Sequence, residues 1–356
     1  STPIADAPAG SRGWRIVYRT TTAAGDPAVS SGTVYAPDGP APKGGRFVVA
    51  WAHPTLGTGT DCTPSQAANP AAGIPGFAAM IAKGWVIAST DYTGLGSPGT
   101  LPYLIGAGEA HDVVDSVRAA RNLPGAGAGR TFAVWGHSQG GHASLFTGEL
   151  ARGYAPELRL VGVAAAAPAA ELPALVSLQW QNYVSWVIGS EVITLWPEFY
   201  PNLDAADVAT PVALENAERL GAICITADVS GVLSSFGAYL LQPFFSVDPS
   251  SQPRWRARLA ANTPAALRTV PSFVAQGLAD TVVLPATTAL LEQRWCAARA
   301  PVTVVWDANA DHFDIPTIAA PAAVDWLSAR FAGTKAPNSC GEATPVPPAV
   351  DPPRPT

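Results

Sequence analysis

The segment Thr131-Phe132-Ala133-Val134-Trp135-Gly136-His137-Ser138-Gln139-Gly140 joins an apolar run to a serine flanked by glycines. Residues 131–135 carry the β-branched and aromatic side chains of a buried strand, and residues 138–152 read as a helix behind it. Between them lies a G-x-S-x-G. A turn this sharp strains the serine backbone, and glycines two residues before and after let strand and helix approach without a Cβ clash. The serine oxygen is then exposed at the carboxyl end of a sheet, at a helix N-terminus. A glycine-rich turn with an N-capping serine would fit the pentapeptide alone. The strand before it and the helix after it favour a nucleophile.

Outward from this point, strand and helix alternate. Residues 14–20 and 32–36 read as an opening antiparallel pair, and 46–52 as a continuous apolar strand. Residues 78–83 end a helix that Gly84 closes, and 85–90 form the next strand. In 109–123, Val113, Val114, Val117, Ala120 and Leu123 make one helical stripe. Strands follow at 159–166, 272–275 and 302–306, and a closing helix at 319–331. The expected class is α/β, with a mostly parallel central sheet and helices on both faces. Residues 1–167 and 265–340 make this core. Residues 168–264 break the rhythm with many aromatics and few strand signals, and are expected to form a helical cap or lid over the sheet. Residues 341–356 hold six prolines and are expected to be extended or disordered.

The chain has 356 residues, 48% of them hydrophobic and 13% charged, with a net charge of −6. That is too apolar for a disordered chain, and nothing basic suggests nucleic acid as a partner. No apolar run is long enough for a transmembrane helix. The chain begins Ser1-Thr2-Pro3, without Met and without an apolar signal core; with four cysteines it reads as a mature secreted form. Cys62, Cys224, Cys296 and Cys340 lack zinc-finger spacing, and as a disulfide set they allow three pairings.

A serine needs an adjacent base. Five histidines are available: His53, His111, His137, His142 and His312. His137 should point away from the turn, His142 lies one helical turn further on, and His111 sits in an amphipathic helix as a structural residue. His312 lies on a loop after a late strand, where this architecture places its base. The carboxylate that orients the base is expected to be Asp280, just past the strand 272–275, rather than Asp307 or Asp311, which abuts the histidine. The order Ser138, Asp280, His312 is that of the α/β-hydrolases. An oxyanion hole would use the N–H of Gln139 and a donor from His53-Pro54-Thr55-Leu56-Gly57; Pro54 has no N–H, so Thr55 is the candidate. Of the insertion's aromatics, Trp180, Trp186, Phe236 and Tyr239 are candidates for a substrate pocket. Gly94-Leu95-Gly96-Ser97-Pro98-Gly99 matches a dinucleotide fingerprint, but Pro98 and Pro102 stand where its helix should start, so a rigid loop is expected. Arg254-Trp255-Arg256-Ala257-Arg258 reads as a solvated helix face.

Trp51-Ala52-His53-Pro54-Thr55, Asp61-Cys62-Thr63-Pro64-Ser65, Asp91-Tyr92-Thr93-Gly94-Leu95-Gly96 and Trp135-Gly136-His137-Ser138-Gln139-Gly140-Gly141-His142 together resemble the secretory lipases of the lipase A type. The resemblance runs over residues 14–331 and is loose in the insertion. It implies an α/β-hydrolase fold with a helical lid, secretion, ester hydrolysis without cofactor or metal, and the three residues Ser138, Asp280 and His312. It also implies the pairs Cys62–Cys224 and Cys296–Cys340. The family's H-G-T-T-G is replaced by His53-Pro54-Thr55-Leu56-Gly57. The function expected is a secreted serine carboxylic-ester hydrolase acting on lipophilic acyl esters, small, lipid or polymeric, with transient contact at a lipid interface. A polyesterase, a peptidase or amidase on the same fold, and a vestigial hydrolase that binds lipid are the alternatives.

Overall fold

The most apolar strands of the sequence lie at the centre of the sheet, where helices cover both faces. In the computed structural model, which describes residues 1–225 and 234–352, nine strands form one sheet among the described residues. They are β1 (Thr2–Ile4), β2 (Ser11–Thr21), β3 (Pro27–Pro37), β4 (Arg46–Ala52), β5 (Val86–Thr90), β6 (Ala128–His137), β7 (Arg159–Ala166), β8 (Ser272–Gly277) and β9 (Val302–Asp307). Their order is β1-β2-β3-β5-β4-β6-β7-β8-β9. The first three are antiparallel, with Trp14 opposite Val34, and β3 also meets β5 antiparallel. From β5 onward every pairing is parallel. The sheet is therefore the mostly parallel one of an α/β-hydrolase fold.

Helix α1 (Phe77–Ala82) precedes β5, α2 (Gly106–Asn122) follows it, and α3 (Gln139–Tyr154) follows β6. On one face α2 and α3 pack together over β4 to β7. Helices α4 (Leu172–Gln179), α5 (Val184–Phe199), α6 (Pro211–Gly221) and α7 (Pro253–Ala261) all lie between β7 and β8. Helix α8 (Pro285–Ala297) links β8 to β9, and α9 (Ile315–Phe331) closes the chain's regular structure and covers the other face with α1.

Two helices begin earlier than their apolar stripes suggest. Helix α2 opens with Gly106, whose Cβ would lie 2.3 Å from the Phe146 ring; the glycine permits close packing on α3 at a cost in propensity that hides the start. Helix α9 opens with Pro316 in its first turn, where a missing N–H costs nothing. β1 and α8 also lie outside the sequence expectation.

The insertion has an aromatic interior of its own. Trp186 packs 5.2 Å from Tyr239 and 5.0 Å from Phe244, and Trp196 stacks on Trp255 at 6.1 Å. Two disulfides are present: Cys62–Cys224 joins the loop after β4 to the residues after α6, and Cys296–Cys340 joins α8 to the tail. The tail is extended, as its prolines require, but it is docked. Ala349 N–H donates to Ala286 O at 2.8 Å, Asp351 pairs with Arg294, and Arg256 donates to Pro352 O at 2.7 Å.

Candidate active site

Parallel strands deliver their following loops to one edge of the sheet, and such edges collect ligand sites. The loops after β4, β6, β8 and β9 meet there. Ser138, between β6 and α3, has φ +55° and ψ −116°, a conformation that costs a non-glycine residue of order 1–3 kcal/mol. The flanking glycines are required by contact. A Cβ on Gly136 would lie 2.1 Å from Gly140 O, and one on Gly140 would lie 1.9 Å from Ala52 O. Ser138 N–H donates to Ala166 O at 2.9 Å and Ser138 O accepts from His142 N at 3.0 Å, so backbone bonds hold the strained turn on both sides.

Ser138 Oγ lies 2.9 Å from His312 Nε2, and His312 Nδ1 lies 2.8 Å from Asp280 Oδ2. All three residues are buried. Asp280 is oriented in turn: Oδ1 accepts from Val282 N at 2.8 Å and Val283 N at 2.9 Å, and Oδ2 accepts from Gln276 Nε2 at 3.1 Å. The rival carboxylates are occupied otherwise. Asp307 accepts from Asn309 N and Ala310 N at 2.9 and 2.8 Å, and Asp311 from Phe313 N and Asp314 N at 2.8 and 2.9 Å. Both shape the turns that carry His312.

His137 packs against His312, with ring centroids 4.8 Å apart. Burial holds its imidazole well below the usual range, so the ring is neutral, and its Nε2–H donates to His312 O at 2.8 Å. It braces the backbone of His312. His53 is also buried, which lowers its pKa; its Nδ1 lies 2.7 Å from Pro54 O. His111 contacts Thr21 Oγ1 at 3.1 Å and stacks on Tyr154, the structural role expected of it. Residues 94–99 form a loop with no helix before Gly106. In α7, Trp255 is buried while Arg258 lies over the Tyr200 ring at 4.4 Å.

Thr55, in the loop after β4, lines the same cavity as Ser138, and its Oγ1 lies 3.1 Å from Tyr103 OH. Gln139 opens α3, where backbone N–H groups have no acceptor within the helix. The Thr55 loop is tied to the roof by Thr58 N donating to Gly221 O at 2.8 Å, by Ile225 N donating to Leu56 O at 3.0 Å, and by the nearby Cys62–Cys224 bond. Gln179 at the end of α4 donates to Thr281 O and Val282 O at 2.7 and 2.9 Å, clamping the roof onto the Asp280 loop.

Above Ser138 lies a cavity of about 90 Å³, walled by Leu104, Val176, Trp180, Ile188, Trp196 and Trp255 among others. Of the four aromatics read as pocket candidates, Trp180 lines it. Trp186, Phe236 and Tyr239 lie outside its lining: Trp186 and Phe236 are buried in the roof, and Tyr239 shares a hydrogen bond with Asn216 at 3.0 Å. Among the described residues no three His, Cys, Asp or Glu side chains cluster at metal-binding distance.

The model of the secretory lipase family matches residues 75–236 and 256–339. The chain belongs to the secretory lipase family. A protein of Mycobacterium tuberculosis named a probable inactive lipase is 25% identical over 337 residues, covering 90% of this chain and 73% of that one. A trichothecene C-3 esterase of Fusarium sporotrichioides is 24% identical over 344 residues, covering 90% and 75%. The rice cell wall degrading esterase LipA of Xanthomonas oryzae has the same fold, with a TM-score of 0.75 at 22% identity over 91% of this chain and 92% of that one. Candida antarctica lipase A in its closed state gives 0.69 at 18% identity, over 96% and 82%.

Three residues at the site were not legible as such in the sequence. Tyr103 and Gln179 belong to no motif, and Glu109 lies 30 positions before the Gln139 side chain that it contacts.

Proposed function

We propose that the protein is a secreted serine carboxylic-ester hydrolase that forms an acyl-enzyme on Ser138. The observation that carries the reading is the continuous chain Ser138 Oγ–His312–Asp280, at 2.9 and 2.8 Å, opening into an apolar cavity. His312 Nε2 takes the Ser138 proton as Oγ attacks the ester carbonyl, and Asp280 holds the imidazole tautomer and offsets the imidazolium charge. The N–H groups of Gln139 and Thr55, with the Thr55 hydroxyl, hold the oxyanion. His312 then returns the proton to the leaving alcohol, and water attacks the acyl-enzyme by the reverse route. No cofactor or metal is needed for this chemistry.

The apolar wall favours a lipophilic acyl chain, and the cavity's size suits a short one while the roof is down. Exposed apolar side chains stand beside the site: Phe313 packs edge-on against His312, and Tyr183 reaches Thr281 at 3.5 Å. They support transient contact with a lipid or polymer surface. Two disulfides support secretion. One relative is named a probable inactive lipase, so activity is the point to test. Ser138→Ala is expected to lower hydrolysis of a p-nitrophenyl ester by more than about 10⁴-fold with an unchanged circular dichroism spectrum. Activity within a few-fold of the parent would end the proposal.

A further inference from the structure

Glu109, in the first turn of α2, is fully buried and takes no part in the chemistry above. Its Oε1 accepts two hydrogen bonds, from Leu104 N at 2.9 Å and from Gln139 Nε2 at 2.9 Å. Its Oε2 lies 2.7 Å from His142 Nδ1. His142, also fully buried, sits one turn past the nucleophile on α3, and its Nε2 lies 2.8 Å from Asn262 O at the end of α7. A backbone carbonyl only accepts, so Nε2 carries a hydrogen. One proton then lies between Nδ1 and Oε2, and the pair is neutral overall whichever atom holds it. That neutrality lets two ionisable groups be buried together.

The two donors that share Oε1 come from different segments of the site, one between β5 and α2 and the other at the start of α3. Gln139 follows the nucleophile and carries one proposed oxyanion N–H. Leu104 lines the cavity, has φ +52°, and adjoins Tyr103, whose hydroxyl meets Thr55, the other proposed donor, at 3.1 Å. A left-handed leucine needs its surroundings to hold it there, and the bond to Glu109 does so. We propose that Glu109, with His142 as its proton partner, is the positioning residue of the oxyanion hole: one carboxylate oxygen sets the spacing between the Gln139 arm and the Tyr103–Leu104 wall on which Thr55 leans. The inference rests on the ester-hydrolase reading. An oxyanion forms only in the transition state, so loss of this spacing acts on kcat more than on KM. A purely capping role for Glu109 would lower stability without that split.

The test uses the full chain and a soluble p-nitrophenyl ester, with kcat and KM measured separately and competent sites counted by fluorophosphonate titration. Glu109→Ala is expected to lower kcat about 100-fold, and Gln139→Ala, which keeps the backbone N–H, about 10-fold, both with KM within about threefold. Glu109→Gln restores kcat to within about fivefold of the parent, because its amide oxygen accepts both donors and its NH₂ donates to Nδ1 of a neutral His142. The proposal is overturned if the folded alanine variants keep the parent kcat, if their loss falls on KM, or if Glu109→Gln is as impaired as Glu109→Ala. Should Glu109→Ala not fold, Gln139→Ala and Glu109→Gln decide by the same criteria. A parent that neither hydrolyses the ester nor takes the fluorophosphonate overturns the hydrolase reading and this proposal with it. A labelled parent with indifferent variants overturns the positioning role alone.

Discussion

On the floor, beneath the cavity, Ser138, Asp280 and His312 follow the ends of β6, β8 and β9, strands paired in parallel within one sheet, and side-chain and backbone hydrogen bonds join the three residues to one another and to their loops. The roof, α4 to α7, meets the floor through apolar side chains and discrete ties that include the Gln179 clamp, the pairing of residues 56–58 with 221–225, one disulfide, Trp196 Nε1 donating to Tyr103 O at 2.9 Å, and Asn262, at the end of α7, bonded to Gly106 N and His142 Nε2. The floor is built to hold atoms within tenths of an ångström of one another. The roof is built to exclude water and shape a slot, which side-chain volume achieves without exact hydrogen-bond geometry. Changes to the floor should therefore act on turnover, and changes to the roof on stability and acyl-chain choice.

The largest effect expected on the floor comes from Asp280→Asn. With the tautomer of His312 no longer fixed, kcat on a p-nitrophenyl ester should fall by about 10⁴-fold while the thermal midpoint moves little. A fall below tenfold would mean that the floor does not need its carboxylate. On the roof, Trp255→Ala removes one half of the Trp196–Trp255 stack and part of the cavity wall. It should cost about 3–5 kcal/mol in denaturant titration and shift the acyl-length optimum upward. A loss under about 1 kcal/mol with an unchanged chain-length profile would erase the distinction between the two regions.

A smaller effect sharpens the same contrast. Asp112, in α2 beneath the floor, accepts from Thr93 N and Oγ1 at 2.8 and 2.9 Å, and burial pushes its pKa up to about 7. Between pH 4 and 7 the folded chain keeps a proton that the unfolded chain has lost. Its contribution is therefore fully present below the ordinary aspartate pKa and is lost as pH rises through about 7. Stability should decline over that interval by on the order of 3–4 kcal/mol from this group. Asp112→Asn should flatten the decline, measured as denaturation midpoints at pH 4.5 and 7.5. Equal slopes in parent and variant would refute the assignment.

The floor was legible in the sequence and the roof was not, for a physical reason. Gly136-His137-Ser138-Gln139-Gly140 compresses a three-dimensional requirement into five adjacent residues, and parallel topology then dictates that later strand ends deliver Asp280 and His312 to the same edge. Asp307 and Asp311 could be set aside only weakly from sequence; the structure shows them bonded to their own turns. In the roof the buried side chains divide between the packing of helix on helix and the wall of the cavity, so periodicity does not say which aromatic faces the cavity. Trp180 lines the cavity while Trp186, Phe236 and Tyr239 do not. Glu109 and His142 are 33 residues apart and meet only because Gly106 and Phe146 let α2 and α3 pack closely. The docking of the tail depends likewise on partners in α7 and α8 that its proline-rich composition does not reveal.

The central claim is that Ser138 is the atom that attacks. Incubating the full chain with a fluorophosphonate and mapping the adduct by peptide mass spectrometry tests it most directly. The account predicts one adduct per chain, on the peptide containing Ser138, and none in Ser138→Ala. An adduct on a different residue, or ester hydrolysis that survives in Ser138→Ala at the parent's rate, would contradict it.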